Sequence, residues 1–430
     1  MSRARSTGFP KRSLPIAVTE TNTVTEFIRS LPALPALLIT FFAVAPVFAQ
    51  ENTPVPPAPP VPAPPVPIPK VPSQETSSES VSTSPVPFTS TLYPGSTVRM
   101  FRGKDNFGFR FEGDLRYRSV TGLGERSGTY VSAGRLTTDW VRANPLNRDE
   151  RGGVRVQLLL ETDQRGTVIE KLRLSEAYGY YTFLSGGVSA RARAGQFVIP
   201  FGLLAVYDTP LQPIQTLYEK ALGLRVDTGV MLEGRYGDFR YAGSITAGTG
   251  PNRVEFDDNA VFAFRLARAV TLPKIGPAEI GGSLLSGKLP RTSFDTLLYP
   301  SGTVETQSVV KTTRFAADAQ LFHDPWIFRG EVVFGGNDNE PVYGYFAEAN
   351  YRIKRDLSAV AYSRRWDFVN KPSRATSLGI GGQFTPPIRI GNQFQWTIRT
   401  LFEFERNVPE TGQGSPQVYR RLTVQSFLQY

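Results

Sequence analysis

The chain has no cysteine among its 430 residues and one histidine, His323. The first absence excludes disulfide frameworks, thiolate metal sites and cysteine nucleophiles together. The second leaves no histidine cluster for a metal, and no zinc spacing or Gly-rich phosphate loop ahead of a helix is found either. Beyond the N-terminal region no run reaches the eighteen or so apolar residues of a membrane-spanning helix. The charge balance is not acidic: the formal net charge is +10, of which residues 1–49 supply +3 and the remainder +7. The basic residues are spread over alternating positions and form no single patch, which excludes a nucleic-acid partner.

What the chain has instead is 29 Phe, 17 Tyr and 39 Gly at a mean hydropathy of −0.21. Many aromatics at average hydropathy are what strands give when one face meets lipid and the other water. Residues 1–49 carry the marks of a cleaved signal peptide. A basic segment precedes an apolar stretch over 31–45, and Val47-Phe48-Ala49 offers small residues at a cleavage site. Residues 50–96 are expected to be a Pro/Ser-rich disordered linker. Eleven of the nineteen residues from Pro54 to Pro72 are proline, which favours an extended polyproline path of roughly 60 Å at about 3.1 Å per residue. It would act as a spacer, or as a periplasmic tether in contact with the cell wall.

From 97 to 430 the period is two. Sixteen strands are expected near 107–120, 130–142, 153–163, 174–184, 188–198, 226–237, 239–248, 259–270, 276–287, 312–323, 326–335, 343–353, 357–368, 376–385, 393–405 and 418–430. In the first, Phe107, Phe109, Phe111, Leu115 and Tyr117 share one parity and Arg110, Glu112, Asp114, Arg116 and Arg118 the other. The second has the weakest pattern. Connections after even-numbered strands are mostly short, as at Gly237-Asp238 and Asp324-Pro325, and several after odd-numbered strands are long. Alternation of that kind is the mark of an up-and-down barrel with periplasmic turns and extracellular loops. The fold class is therefore all-β, a transmembrane antiparallel barrel of sixteen strands. The last thirteen residues, Val418 to Tyr430, supply the strand that closes it. Their aromatic ending resembles the final strand of bacterial outer-membrane barrels, with Ser426 a misfit on the lipid-facing parity.

The fifth strand leads into Gly195-Gln196-Phe197-Val198-Ile199-Pro200-Phe201-Gly202-Leu203. This segment resembles the G-Q-F-x-x-P-F-G-L signature of the phosphate-selective porin O/P family. Pro200 cannot donate to a ladder, and Gly202 permits a turn. The resemblance implies a trimeric outer-membrane pore for passive diffusion of anions. It also implies that the third extracellular loop, 201–225, folds inward as the constriction. That loop offers Tyr207, Asp208, Tyr218, Glu219, Lys220 and Arg225. Parity places Arg110, Arg116, Arg118, Arg155, Arg191, Arg193, Arg265, Arg314, Arg329, Arg365 and Arg399 on the lumen side as anion-binding candidates. Arg191 and Arg193 come first because they lead into the constriction loop. Glu112, Asp114, Glu161, Glu233, Asp318, Glu331, Glu348 and Glu403 share that face, so arginine–acid ladders that only hold the wall are the competing account. The chain departs from the phosphate-selective pattern in being Arg-rich but Lys-poor in its strands.

The function expected is passive diffusion of small hydrophilic solutes across the bacterial outer membrane, with an anion preference. The partners are lipid, the solutes and two further copies of the chain. No cofactor, metal or catalysis is called for. His323 beside a short turn is poorly placed for the hydrolytic chemistry that some outer-membrane barrels perform. The structural alternative is a barrel with an occluded pore and the Pro-rich segment as a periplasmic tether.

Overall fold

The computed structural model describes residues 98–99, 105–121, 128–143, 150–161, 171–185, 188–205, 213–251, 260–290, 309–338, 340–370, 374–386, 395–408 and 416–429. The signal peptide expected over 1–49 and the linker over 50–96 lie outside them.

All sixteen expected strands are present, with ends displaced by three residues at most. They are β1 (Asp105–Thr121), β2 (Gly128–Ala143), β3 (Glu150–Glu161) and β4 (Lys171–Ser185). Next come β5 (Val188–Val198), β6 (Val226–Tyr236), β7 (Phe239–Thr246) and β8 (Val261–Leu272). The second half holds β9 (Gly276–Pro290), β10 (Val309–His323), β11 (Trp326–Asn337) and β12 (Glu340–Arg352). The last are β13 (Leu357–Phe368), β14 (Arg374–Phe384), β15 (Gln395–Val408) and β16 (Gln417–Gln429). Sequence patterning gives no sign of one extra pairing, in which Val98–Arg99 lies against Phe109 and Gly108.

Each strand is antiparallel to the next, and β16 returns to β1 with Val424 opposite Tyr117 and Gln425 opposite Arg116. Closure pairs the backbone donors and acceptors of both edges, which lipid would otherwise leave unsatisfied. The outward face is apolar and exposed, with Phe111 and Tyr117 on β1, Phe262 and Phe264 on β8 and Phe402 on β15. A belt of this extent needs a hydrocarbon solvent. Ser426, the misfit on that face, accepts the Trp396 indole N–H at 3.0 Å, so the small polar residue satisfies a donor that lipid could not.

Three register steps fall in the first quarter of the wall, one of them at the end of β2, where Arg142 opposes Gly152 and Ala143 opposes Glu150. On β2 the register steps from Asp114 opposite Ala133 to Leu115 opposite Val131. The skipped residue, Ser132, reverses the alternation, and that explains the weak pattern of the second strand. On β4 the step leaves Ser175 unopposed between Glu176 and Leu174.

Candidate functional site

The lumen-facing side chains form polar ladders. Arg116 Nη2 lies 2.6 Å from Asp114, whose carboxylate also accepts from Gln425 at 2.7 Å. Gln425 in turn accepts from Arg399 at 3.1 Å, and Arg399 reaches Gln383 at 2.9 Å. Arg265 donates to Asp318 at 2.6 Å and Glu279 at 3.1 Å. Arg329 pairs with Glu348, and Arg110 lies 3.3 Å from Glu112. Arg118 is buried on the same face. Most of these buried charges are thus paired within their own wall, which offsets the cost of taking them from bulk water.

Several expected arginines keep part of the side chain exposed, Arg110 at 20 % among them, and three of these lie together on β3 and β5. The side chain of Arg155 on β3 is 38 % exposed and binds Asp139 at 2.6 Å. Arg191 and Arg193 on β5 are 29 % and 18 % exposed and share Glu233 of β6. Arg191 lies 4.6 Å above the Tyr180 ring and donates to Thr182 at 3.2 Å. Arg193 lies 4.8 Å above Tyr178 and donates to its hydroxyl at 3.2 Å. Stacking on the tyrosines holds the planar groups flat on the wall. Each guanidinium has five donors, so two of them around one carboxylate offer more N–H than that carboxylate can take up. The tyrosine platform was missed from sequence because it shows as plain alternation in Tyr178-Gly179-Tyr180.

The motif residues build the root of the loop between β5 and β6. Gly195 has φ +128°, and a Cβ there would meet the Ala177 carbonyl at 2.2 Å. Gln196 donates to the carbonyls of Leu174 and Ser175 at 2.5 and 3.0 Å, satisfying the β4 bulge. Arg225, at the far end of the loop, donates to Ser175 Oγ at 2.6 Å and so ties the same bulge. Phe197 packs with Tyr178 and Met231. The strand stops at Val198, Pro200 is buried, and Phe201 enters the apolar cluster beneath the loop.

The loop crosses the lumen. Its first turn is a 3-10 turn, Gly202–Ala205, and its return carries a short helix, α1 (Tyr218–Ala221). From its root between β5 and β6 it reaches β9, β10, β11 and β13, through Ser283, Arg314, Glu331 and Arg364. Its apolar side chains Leu203, Leu204, Ile214, Leu217 and Leu222 bury against Val261, Leu285, Val333, Phe346, Trp366 and Leu401 of the wall. Tyr218 packs on the edge of this cluster. Glu219 and Lys220 fall within α1, whereas Tyr207 and Asp208 lie outside the described residues.

Two expectations need correction. Arg365 does not face the lumen. Its neighbours Tyr362, Arg364, Trp366 and Phe368 do, and Arg365 sits outside with Tyr343 (5.9 Å) and Asp367 (2.6 Å). Polar-in parity fails on β13 because this part of the lumen is filled by the loop and is dry, so apolar residues point inward. Arg364, which donates to the Gln215 carbonyl at 3.3 Å, holds the inward place. Arg314 does face inward but lies beneath the loop, 1 % exposed, with no open aqueous face.

No protein-family model and no curated protein matches the sequence. The porin O/P resemblance therefore rests on the motif and the strand frame. Among solved structures the fold is similar to OmpT of Vibrio cholerae, an outer-membrane protein, at 8 % identity over 76 % of this chain and 99 % of that one, TM-score 0.52. It is likewise similar to an anion-selective porin from Comamonas acidovorans, at 12 % identity over 76 % and 99 %, TM-score 0.52. At these identities the likeness is one of fold: the chain is a closed sixteen-stranded barrel of the outer-membrane type.

Proposed function

We propose that the chain is an outer-membrane porin. Small hydrophilic solutes diffuse through a passage that runs along the β3–β6 wall, with a preference for anions. The observation that carries this is the one-sided placement of the loop. It fills the lumen against β8–β15 and leaves the water-accessible Arg155, Arg191 and Arg193 on the other wall. A passing oxyanion could engage these part-exposed guanidinium groups bidentately and without a fixed site. The apolar belt supports residence in the outer membrane. The trimer belongs to the same proposal on the strength of the family resemblance.

The ladders of buried charge on β1, β15 and β16, such as Arg116 with Asp114 and Arg421 with Glu403 at 2.8 Å, favour one other reading: a barrel whose pore is closed and whose role is structural. Purified protein in planar bilayers separates the two. Discrete conductance steps support the porin, and silent but inserted barrels would support the structural role.

A further inference from the structure

The loop is held at its two ends by buried side chains of opposite charge, and each meets the backbone group that suits its sign. On β11, Glu331 is 3 % exposed, and its Oε1 accepts the Leu203 N–H at 3.0 Å. The adjacent Gly202 N–H donates to Ser283 Oγ of β9 at 2.9 Å. These N–H groups open the 3-10 turn, where no carbonyl of the turn can serve them. On β10, Arg314 donates from Nε to the Ala221 carbonyl at 2.9 Å, at the last residue of α1. Its other nitrogens are engaged by the carbonyls of Thr313 and Gly336, at 3.0 and 2.6 Å, and by the Asn337 side chain. The guanidinium is therefore fixed to its own wall, with Nε turned to the loop, and Trp366 lies 5.7 Å away. Gly202 makes the approach to Glu331 possible. Its φ is +51°, and a Cβ there would stand 1.7 Å from Glu331 Oε1.

We infer that Glu331 and Arg314 are positioning residues that set the aperture of the channel. A carboxylate gathers the donors at the start of the loop and a guanidinium the acceptor at its return, so the loop backbone stands in as counter-charge for both. Each acts through the loop, and neither is placed to meet solute. The inference rests on the porin reading for its effect on permeation, but the clamp itself can be read without current.

The test uses full-length protein refolded in detergent and then inserted in bilayers, with Glu331→Ala, Glu331→Gln, Arg314→Met and the milder Ser283→Ala. Hydrogen–deuterium exchange is followed in peptides spanning Leu203 and Ala221. Glu331→Ala and Arg314→Met should speed exchange there by roughly tenfold or more, as local opening of a clamped segment does. Ser283→Ala should do so to a smaller degree, at peptides spanning Leu203. Glu331→Gln keeps an oxygen acceptor and should stay near wild type. In bilayers the first two should raise unit conductance, or add open-channel flicker, with charge selectivity retained because Arg191 and Arg193 are intact. Wild-type exchange in the Glu331→Ala and Arg314→Met loops overturns the clamp. If either fails to fold, unchanged exchange in Ser283→Ala does so. If the wild type is silent in bilayers while exchange responds as stated, the porin reading falls and the clamp stands.

Discussion

The two walls of this barrel differ more than sixteen similar strands suggest. Against β8–β15 the lumen is dry. Val261, Leu285, Val333, Phe346, Trp366 and Leu401 face inward and pack on the loop as in a soluble core. On β2–β6 the inward residues include Arg155, Arg191, Arg193, Tyr178 and Tyr180, with Asp139 of β2 and Glu233 of β6 among them. The difference teaches that polar-in, apolar-out alternation follows the local solvent rather than the barrel. Where the loop replaces water, apolar side chains enter the inner face and pack as in an interior, with ion pairs such as Arg265–Asp318 and Arg329–Glu348 buried beside them; where water stays, part-exposed arginines stacked on tyrosines line the wall.

The sharpest way to break the comparison is to cut into the dry wall. Trp366→Ala removes a side chain that is 1 % exposed and should cost ~3–5 kcal/mol of stability, seen as a lower urea midpoint for loss of barrel circular dichroism. An unchanged midpoint would mean the loop does not pack as a core. Next comes Gly202→Ala, which places a methyl group against Glu331 in a left-handed backbone. It should cost ~1–3 kcal/mol and raise unit conductance by shifting the loop; wild-type conductance would contradict the close approach. On the open wall Arg191→Ala/Arg193→Ala should leave the unfolding midpoint almost unmoved. It should lower the anion/cation permeability ratio about fivefold, the factor that ~1 kcal/mol makes. The smallest effect belongs to Arg365→Ala. Its side chain sits on the outer face, so selectivity should not change and stability should move by no more than ~0.5 kcal/mol. A selectivity shift there would restore Arg365 to the lumen.

Much of this was legible in the residues. Aromatic alternation in Phe107 to Tyr117 and the short turns at Gly237-Asp238 and Asp324-Pro325 are local features, and local features mark strands and their hairpins. Pro200 and Gly202 made the strand end and the turn legible, whereas the inward course of the loop was implied only by the resemblance of that segment to the porin O/P signature. The contents of the lumen were not legible, because they depend on contacts far apart in sequence: Leu203 with Glu331, Ala221 with Arg314, Gln215 with Arg364. The arginine doublet Arg364-Arg365 shows the cost. Parity puts one in and one out, and only the dry surface beneath the loop decides which. A bulge explains the weak pattern of the second strand in the same way, since a single extra residue at Ser132 shifts the alternation along β2.

The most direct test is the zero-current potential of single channels under a chloride gradient, repeated with phosphate, for wild type and the Arg191→Ala/Arg193→Ala pair. The account predicts discrete channels whose potential has the sign of anion preference, and a shift toward zero or past it in the pair. A wild type that conducts with the same ion preference as the pair would contradict a passage along the β3–β6 wall.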